Sequence, residues 1–358
     1  MDWWFDPARS YASNVEDGPF GAFAEGRATP ETPATPGEMF LGHPVHRPFG
    51  IAAGPLPTSR HCAAAFRHGF DVSAYKTVRS RAMPAHVFPN TLAVRVDGDL
   101  AAEPGTTLVA DHDLASATSI SNSYGVPSRD PDEWQPDMAA AAVAAGDGQL
   151  LVGSCQGTRD GGDDHLVADY ARAAGLVAET GVGAIELNLS CPNEGTGALL
   201  CFDTPLVAKV VRAVRERIGD VPLAVKIAYF RDDDALAALV RAIAPVVDAI
   251  AAVNTLPARL VDAEGRPALP GPGRDTAGVC GAAIRWAGLD MTRRLARHRE
   301  RTRTEWAVIG VGGVLVAGDY EDYRAAGADA VMTATGAMRD AGLGRAVRAT
   351  STSPPRSP

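Results

Sequence analysis

The 358-residue chain is poor in cysteine, with five residues at positions 62, 155, 191, 201 and 280. The number is odd, no C-x-x-C pair occurs, and no histidine stands at finger spacing. Neither a disulfide framework nor a zinc or other metal site is therefore expected, and free thiols in this pattern suit a reducing compartment. Long apolar runs able to cross a bilayer are also missing. The opening residues, Met1-Asp2-Trp3-Trp4-Phe5-Asp6, lack the basic-then-apolar order of a secretory leader, so the expected address is cytoplasmic, without a membrane partner. Basic residues are outnumbered, 34 Lys and Arg against 43 Asp and Glu, for a net charge of −9. No basic stripe offsets that balance, which argues against nucleic acid and anionic lipid surfaces as partners.

What remains is ordinary globular composition, 46% hydrophobic and 22% charged, in a length that suits one large α/β barrel or two smaller domains. Residues 1–40 are rich in Pro, Gly, Thr and Ala around Trp3, Trp4, Phe5, Phe20 and Phe23, and read as an N-terminal arm more than a core element. Residues 346–358 end in Ser, Thr and Pro and read as a disordered tail. Between them, short apolar runs alternate with longer amphipathic segments, the pattern of repeated βα units. Strands are expected at 50–53, 72–77, 150–154, 184–190, 223–228, 249–255, 308–312 and 330–335. Helices are expected at 163–180, 204–218, 232–246 and 317–326. Eight strands in this order predict a (β/α)8 TIM barrel over residues 41–345. Between strands two and three, residues 78–118 read as an insertion over the rim, a small β subdomain or hairpin, followed by an apolar patch at 118–124.

In a parallel barrel the residues after each strand converge on one rim. Here those positions are polar, cationic or glycine: Ala53-Gly54, Lys76-Thr77, Ser154, Asn188 to Asn193, Lys226, Asn254-Thr255, Gly312-Gly313 and Ala334-Thr335. The glycines near the last two strands, with Thr335 and with Gly278 and Gly281 from the preceding loop, fit a phosphate pocket built from main-chain N–H groups. Lys76 and Lys226 at strand ends point to an anionic or electron-rich ligand such as a reduced flavin, unless a strand-end acid such as Glu186 pairs with them. Asn188-Leu-Ser-Cys-Pro-Asn193 offers two carboxamides suited to a flat imide ring and a thiol, Cys191, that can act as general acid or base if its pKa is brought toward neutrality. The other four cysteines lack such a setting.

Asn188–Asn193 is identical to a motif of the dihydroorotate dehydrogenases, and the likeness extends from about Phe49 to Met338. Further matches are Phe49-Gly-Ile-Ala-Ala-Gly54, Asn122-Ser-Tyr-Gly-Val-Pro127, Ala224-Val-Lys-Ile227, Val253-Asn-Thr255 and Ile309–Gly313. The chain thus resembles that family, and the resemblance implies an FMN-dependent barrel that oxidises dihydroorotate to orotate in pyrimidine biosynthesis. It implies hydride transfer from substrate C6 to flavin N5 and removal of the C5 proton by Cys191. Substrate would be held by Lys76, Asn122, Tyr124, the backbone of Gly125 and Val126, Asn188, Asn193, Asn254 and Thr255. The FMN would contact Ala53, Gly54, Lys76, Thr77, Ser154, Asn188, Lys226, Asn254, Gly281, Gly312, Gly313, Ala334 and Thr335.

A cysteine base resembles the soluble class, whose members are usually dimers, so a homodimer is implied; the quinone-linked membrane class has serine there. Yet Phe49–Gly54, 224–228 and Ile309–Gly313 read more like the membrane class. Tyr124 stands where a methionine is common, and 79–117 is longer than usual and carries His86, Asn90 and His112. Two other readings follow: a paralogue acting on another dihydropyrimidine or cyclic amide in specialised metabolism, and a non-catalytic flavin-binding protein. The sequence leaves the electron acceptor open among fumarate, a partner flavoprotein with an iron–sulfur cluster, a quinone and oxygen.

Overall fold

Runs rich in Val, Ile and Ala, each ending where polar residues or glycine begin, form eight parallel strands: β1 (Phe49–Ile51), β2 (Val72–Val78), β3 (Leu150–Cys155), β4 (Ala184–Asn188), β5 (Leu223–Ile227), β6 (Ala249–Ala252), β7 (Ala307–Val311) and β8 (Ala330–Thr333). A computed structural model describes residues 3–24, 37–103, 105–190 and 199–350. The strands are hydrogen-bonded in the order β1-β8-β7-β6-β5-β4-β3-β2, an eight-stranded sheet curled almost into a closed barrel. These are the eight strands expected, although the β4, β6 and β8 ladders stop at Asn188, Ala252 and Thr333, short of the expected ends. Between β1 and β2 the ring closes through the Asp71 N–H, which donates to Phe49 O at 2.8 Å. Gly50 permits that approach, since a Cβ there would lie 1.4 Å from Val72 O.

Side chains on a strand alternate between faces. One buried cluster takes Ala52, Val72, Ala74, Leu150, Val152, Ala184, Ala224, Ala249, Ala251, Ile309, Val311, Ala330 and Met332, the inward set of the barrel. Its small residues leave room for a plug. A hairpin of Glu38–Phe40 and His43–Val45 supplies Phe40 and Val45 to the same cluster. His43 Nε2 lies 3.0 Å from Gly183 O and the His46 N–H donates to Gly148 O at 2.9 Å, which fixes the hairpin at the end where strands begin.

Helices cover the outer face, and their limits follow from local chemistry. In Thr204–Ile218 the Asp203 carboxylate accepts from the Leu206 N–H at 3.1 Å, Pro205 occupies the first turn, and Gly219 (φ +63°) ends the helix. Its buried stripe is Leu206, Val207, Val210, Val211, Val214 and Ile218. Asp163–Ala178, Asp233–Ile243, Arg285–Thr302 and Ala317–Ala325 pack likewise between strands. Among the described residues no helix is long and apolar enough to cross a membrane.

Two expectations need correction. Strands Ala93–Val94, Thr107–Asp111 and Ser119–Asn122 do not form an isolated subdomain: with Leu256–Val261 and Thr276–Gly281 they close a second, five-stranded barrel. The segment after β6 therefore shares in the structure over the rim. Second, the expected tail is helical at its start. Leu343–Ala349 is an α-helix, and Arg348 forms a buried ion pair with Asp71 beneath β2; residues 351–358 lie outside the described residues. The arm, read as packed or partly mobile, packs into the core where it is described. Trp4 is fully buried, stacks on Phe23 at 4.2 Å and donates from Nε1 to Ala337 O at 2.6 Å. The large apolar rings of Trp4, Phe5 and Phe23 anchor the arm by their burial.

Candidate active site

Where the inward strand positions reach the C-terminal rim, the residue types change. Two places beyond Ala74, Val152, Ala184 and Ala224 come Lys76, Ser154, Glu186 and Lys226, all buried. Ser154 is in register with Glu186, and Lys226 with Asn188. A polar layer thus lies directly on the apolar barrel core. Thr77 Oγ1 and Ser154 Oγ are 3.0 Å apart and Ser154 Oγ donates to Glu186 Oε1 at 3.3 Å. Burial raises the Glu186 pKa, opposed by the nearby Lys226 charge and the Ser154 hydrogen bond. Lys226 is 4% exposed, and its ammonium has neither a hydrogen bond nor an ion pair among the described residues. A buried cation left this way selects for an electron-rich group opposite it.

Above this layer opens a cleft of about 1040 Å³, counting the solvent at its mouth. It brings together fourteen of the residues expected: Ala53, Gly54, Lys76, Thr77, Asn122, Tyr124, Gly125, Val126, Asn188, Lys226, Asn254, Thr255, Ala334 and Thr335. The amides are fixed. Asn188 Nδ2 donates to Gln156 Oε1 at 2.8 Å, its Oδ1 accepts from the Ser190 N–H at 3.3 Å, and Asn254 Nδ2 donates to Ser190 O at 3.1 Å. Lys76 Nζ donates to Thr77 O at 3.2 Å. Gly54 leaves the floor open, because a Cβ built there meets no atom within 4 Å.

Four expected cofactor contacts do not line the cleft. Ser154 lies under the floor with its hydroxyl engaged as described. At Gly281 (φ +97°) a Cβ would lie 2.2 Å from Thr118 O, and at Gly313 (φ +66°) 2.5 Å from Arg285 Cβ; Gly312 (φ +123°) faces Val253. A side chain at any of these three glycines would crowd the chain itself. Cys191 and Asn193 lie outside the described residues.

The sequence reading missed Phe5, Tyr11, Thr91, Ile120, Ser121 and Cys280, which complete the far wall. Tyr124 meets Phe5 and Tyr11 edge-on, each ring pair at 6.2 Å, so the arm reaches the cleft. No local signal pairs residue 5 with residue 124. Cys280 donates to Ile120 O at 3.3 Å, and burial pushes its thiol pKa up to about 11. A signal for the lysines was available: the chain has three, Lys76, Lys209 and Lys226, and two of them line the cleft.

The family model for dihydroorotate dehydrogenase matches residues 115–344. The chain belongs to the dihydroorotate dehydrogenase family. It is 31% identical over 352 residues to the dihydroorotate dehydrogenase of Dictyostelium discoideum, covering 94% of each chain. Against catalytic subunits of dihydroorotate dehydrogenase B (NAD(+)) the match is partial. Identity to that of Desulforudis audaxviator is 34% over 187 residues, 52% of this chain and 58% of the relative, and to that of Solidesulfovibrio magneticus 33% over 170 residues, 47% and 53%. Of these family members, the Dictyostelium protein is matched over nearly the whole of both chains.

Proposed function

We propose that this chain oxidises dihydroorotate to orotate, an oxidoreductase step on a CH–CH bond in pyrimidine biosynthesis, with FMN in the cleft. The observation that carries the reading is the set of groups gathered on one rim: two lysines, three asparagines and an open glycine floor, in a chain of this family. These residues fit a flavin. The Lys226 ammonium, which has no hydrogen bond among the described residues, suits the ring's pyrimidine edge, Gly54 leaves the floor open to the ring, and Thr335 at the start of a helix suits the phosphate. Bound there, the flavin supplies a two-electron acceptor for the hydride leaving C6.

The chain's own residues do the rest. Asn122, Asn188 and Asn254 orient the planar ring through their carboxamides, those of Asn188 and Asn254 being already held by Gln156 and Ser190, and Asn193 joins them. Lys76 would reach both ring and cofactor from the cleft floor. The far wall of Phe5, Tyr11 and Tyr124 excludes water. Cys191 takes the C5 proton as general base. The described cysteines are unsuited to that work: burial raises the pKa of Cys62, Cys155, Cys201 and Cys280. The soluble homodimer implied by the cysteine base and a cytoplasmic location complete the reading.

The test is the rate at which dihydroorotate bleaches the FMN of the purified holoprotein without oxygen. Cys191→Ala should slow bleaching at neutral pH by on the order of a hundredfold or more while FMN stays bound. Equal rates in variant and parent remove Cys191 from the reaction, and a parent that is not bleached removes the substrate.

A further inference from the structure

The loop after strand Ser119–Asn122 puts Asn122, Tyr124, Gly125 and Val126 on the cleft. Its backbone is unusual. Gly125 has φ +77° and Val126 φ +50°, the second being a conformation that a β-branched residue rarely adopts. The main-chain N–H groups of Tyr124, Gly125 and Val126 donate to no described residue. Such a loop needs to be held from behind.

Two buried arginines hold it. Arg274, 4% exposed, uses all five of its N–H donors. Nε donates to Ser123 Oγ at 3.0 Å, Nη1 to Val87 O and Pro270 O at 2.6 and 2.7 Å, and Nη2 to Pro89 O and Ser123 O at 2.8 and 3.0 Å. Every acceptor is a neutral oxygen, and among the described residues no carboxylate pairs with the charge. Arg79, at the end of β2, donates from Nε to Val126 O at 3.1 Å and from Nη1 to Gly157 O at 3.0 Å. In a planar trans peptide the C=O and the following N–H point opposite ways. Drawing Ser123 O toward Arg274 therefore turns the Tyr124 N–H the other way.

We propose that Arg274 and Arg79 are positioning residues for the substrate carboxylate: Arg274 holds the Ser123 carbonyl back and so turns the Tyr124 N–H toward an anion, Arg79 ties down Val126 at its φ of +50° and so holds the turn that carries the Gly125 and Val126 N–H groups, and Arg274 adds behind them a positive charge with no carboxylate partner among the described residues. The proposal rests on the dihydroorotate reading and adds what makes the cleft prefer the acid to a neutral ring. A guanidinium suits this place because it stays charged when buried and its planar fork reaches five acceptors at once, which an ammonium cannot do.

The experiment measures binding of orotate and of its neutral methyl ester to the FMN holoprotein, by perturbation of the flavin absorption. Arg274→Gln removes the charge and part of the fork, and should weaken orotate on the order of tenfold with the ester changed much less. Arg274→Lys keeps the charge and loses the fork; its loss for orotate should be smaller than that of Arg274→Gln and still exceed its loss for the ester. This variant carries the comparison if the glutamine protein does not fold. Steady-state rates should show a raised KM for dihydroorotate with kcat nearly unchanged. Equal losses for acid and ester, or none for either, overturn the proposal while the substrate reading stands. A parent that neither binds orotate nor is bleached by dihydroorotate overturns both.

Discussion

Lys226 occupies the inward position after Ala224 that a barrel would otherwise fill with an aliphatic side chain, and its ammonium has no partner among the described residues. A cation in that state is retained against its desolvation penalty only if a ligand repays it. Lys226→Met should therefore release FMN: the purified variant is expected to carry little flavin, and its Kd for added FMN to rise by on the order of tenfold or more. Its melting temperature without FMN should be at or above that of the parent, because a buried charge has gone. Unchanged flavin content and Kd would show that Lys226 serves the fold. At this scale the sequence was most legible where a polar residue interrupts an apolar strand, as at Lys76, Asn188 and Lys226. It was least legible at Gly281, Gly312 and Gly313, where a Cβ would meet backbone and side chains that are distant in sequence.

Among the elements, the β1–β2 closure depends on one atom's absence. Gly50→Ala would force a Cβ to within 1.4 Å of Val72 O, and the expected result is insoluble protein or a loss of several kcal/mol, about 3 or more. Gly318 is the control, since a Cβ there meets nothing and the residue lies within helix Ala317–Ala325; Gly318→Ala should stabilise by up to about 1 kcal/mol. Similar effects from both substitutions would refute the steric account. The arm has its own sensitivity to acid. His61 is fully buried beside Trp4 and Gly18, its Nδ1 is 2.7 Å from Thr58 Oγ1, and burial, with Arg60 adding to it, pushes its pKa down to about 3, against an opposing pull from Asp137. The unfolded chain takes that proton near pH 6.5 and the folded chain does not. Stability from neutral His61 is thus complete above pH 6.5 and falls with pH until about 3. Urea midpoints should show the parent losing about 2 kcal/mol between pH 7 and 5 through this group, a loss absent from His61→Gln. The same pH dependence in both proteins would assign it elsewhere. The helix Thr204–Ile218 was legible in full, since its cap, proline and final glycine all lie in adjoining sequence. The second barrel was not, because strands of two to five residues at 93–122 pair with strands at 256–281 and no periodicity links them.

For the molecule as a whole, one architectural fact organises the chemistry. The apolar plug and inward alanines close one end of the barrel, so the polar layer of Lys76, Ser154, Glu186 and Lys226 can face only the other, where arm and second barrel form the opposite wall. Strand order and rim were readable because parallel βα repeats dictate both; the wall was not, because it assembles from three separated segments. The central claim is that this enclosed rim holds one FMN that accepts electrons from dihydroorotate. The most direct measurement is an anaerobic titration of the holoprotein with dihydroorotate, following flavin absorbance and orotate together. Complete bleaching at one equivalent, with one orotate formed per flavin, is the predicted result. A flavin that stays oxidised in excess dihydroorotate, or a protein that binds no FMN at all, would contradict the account.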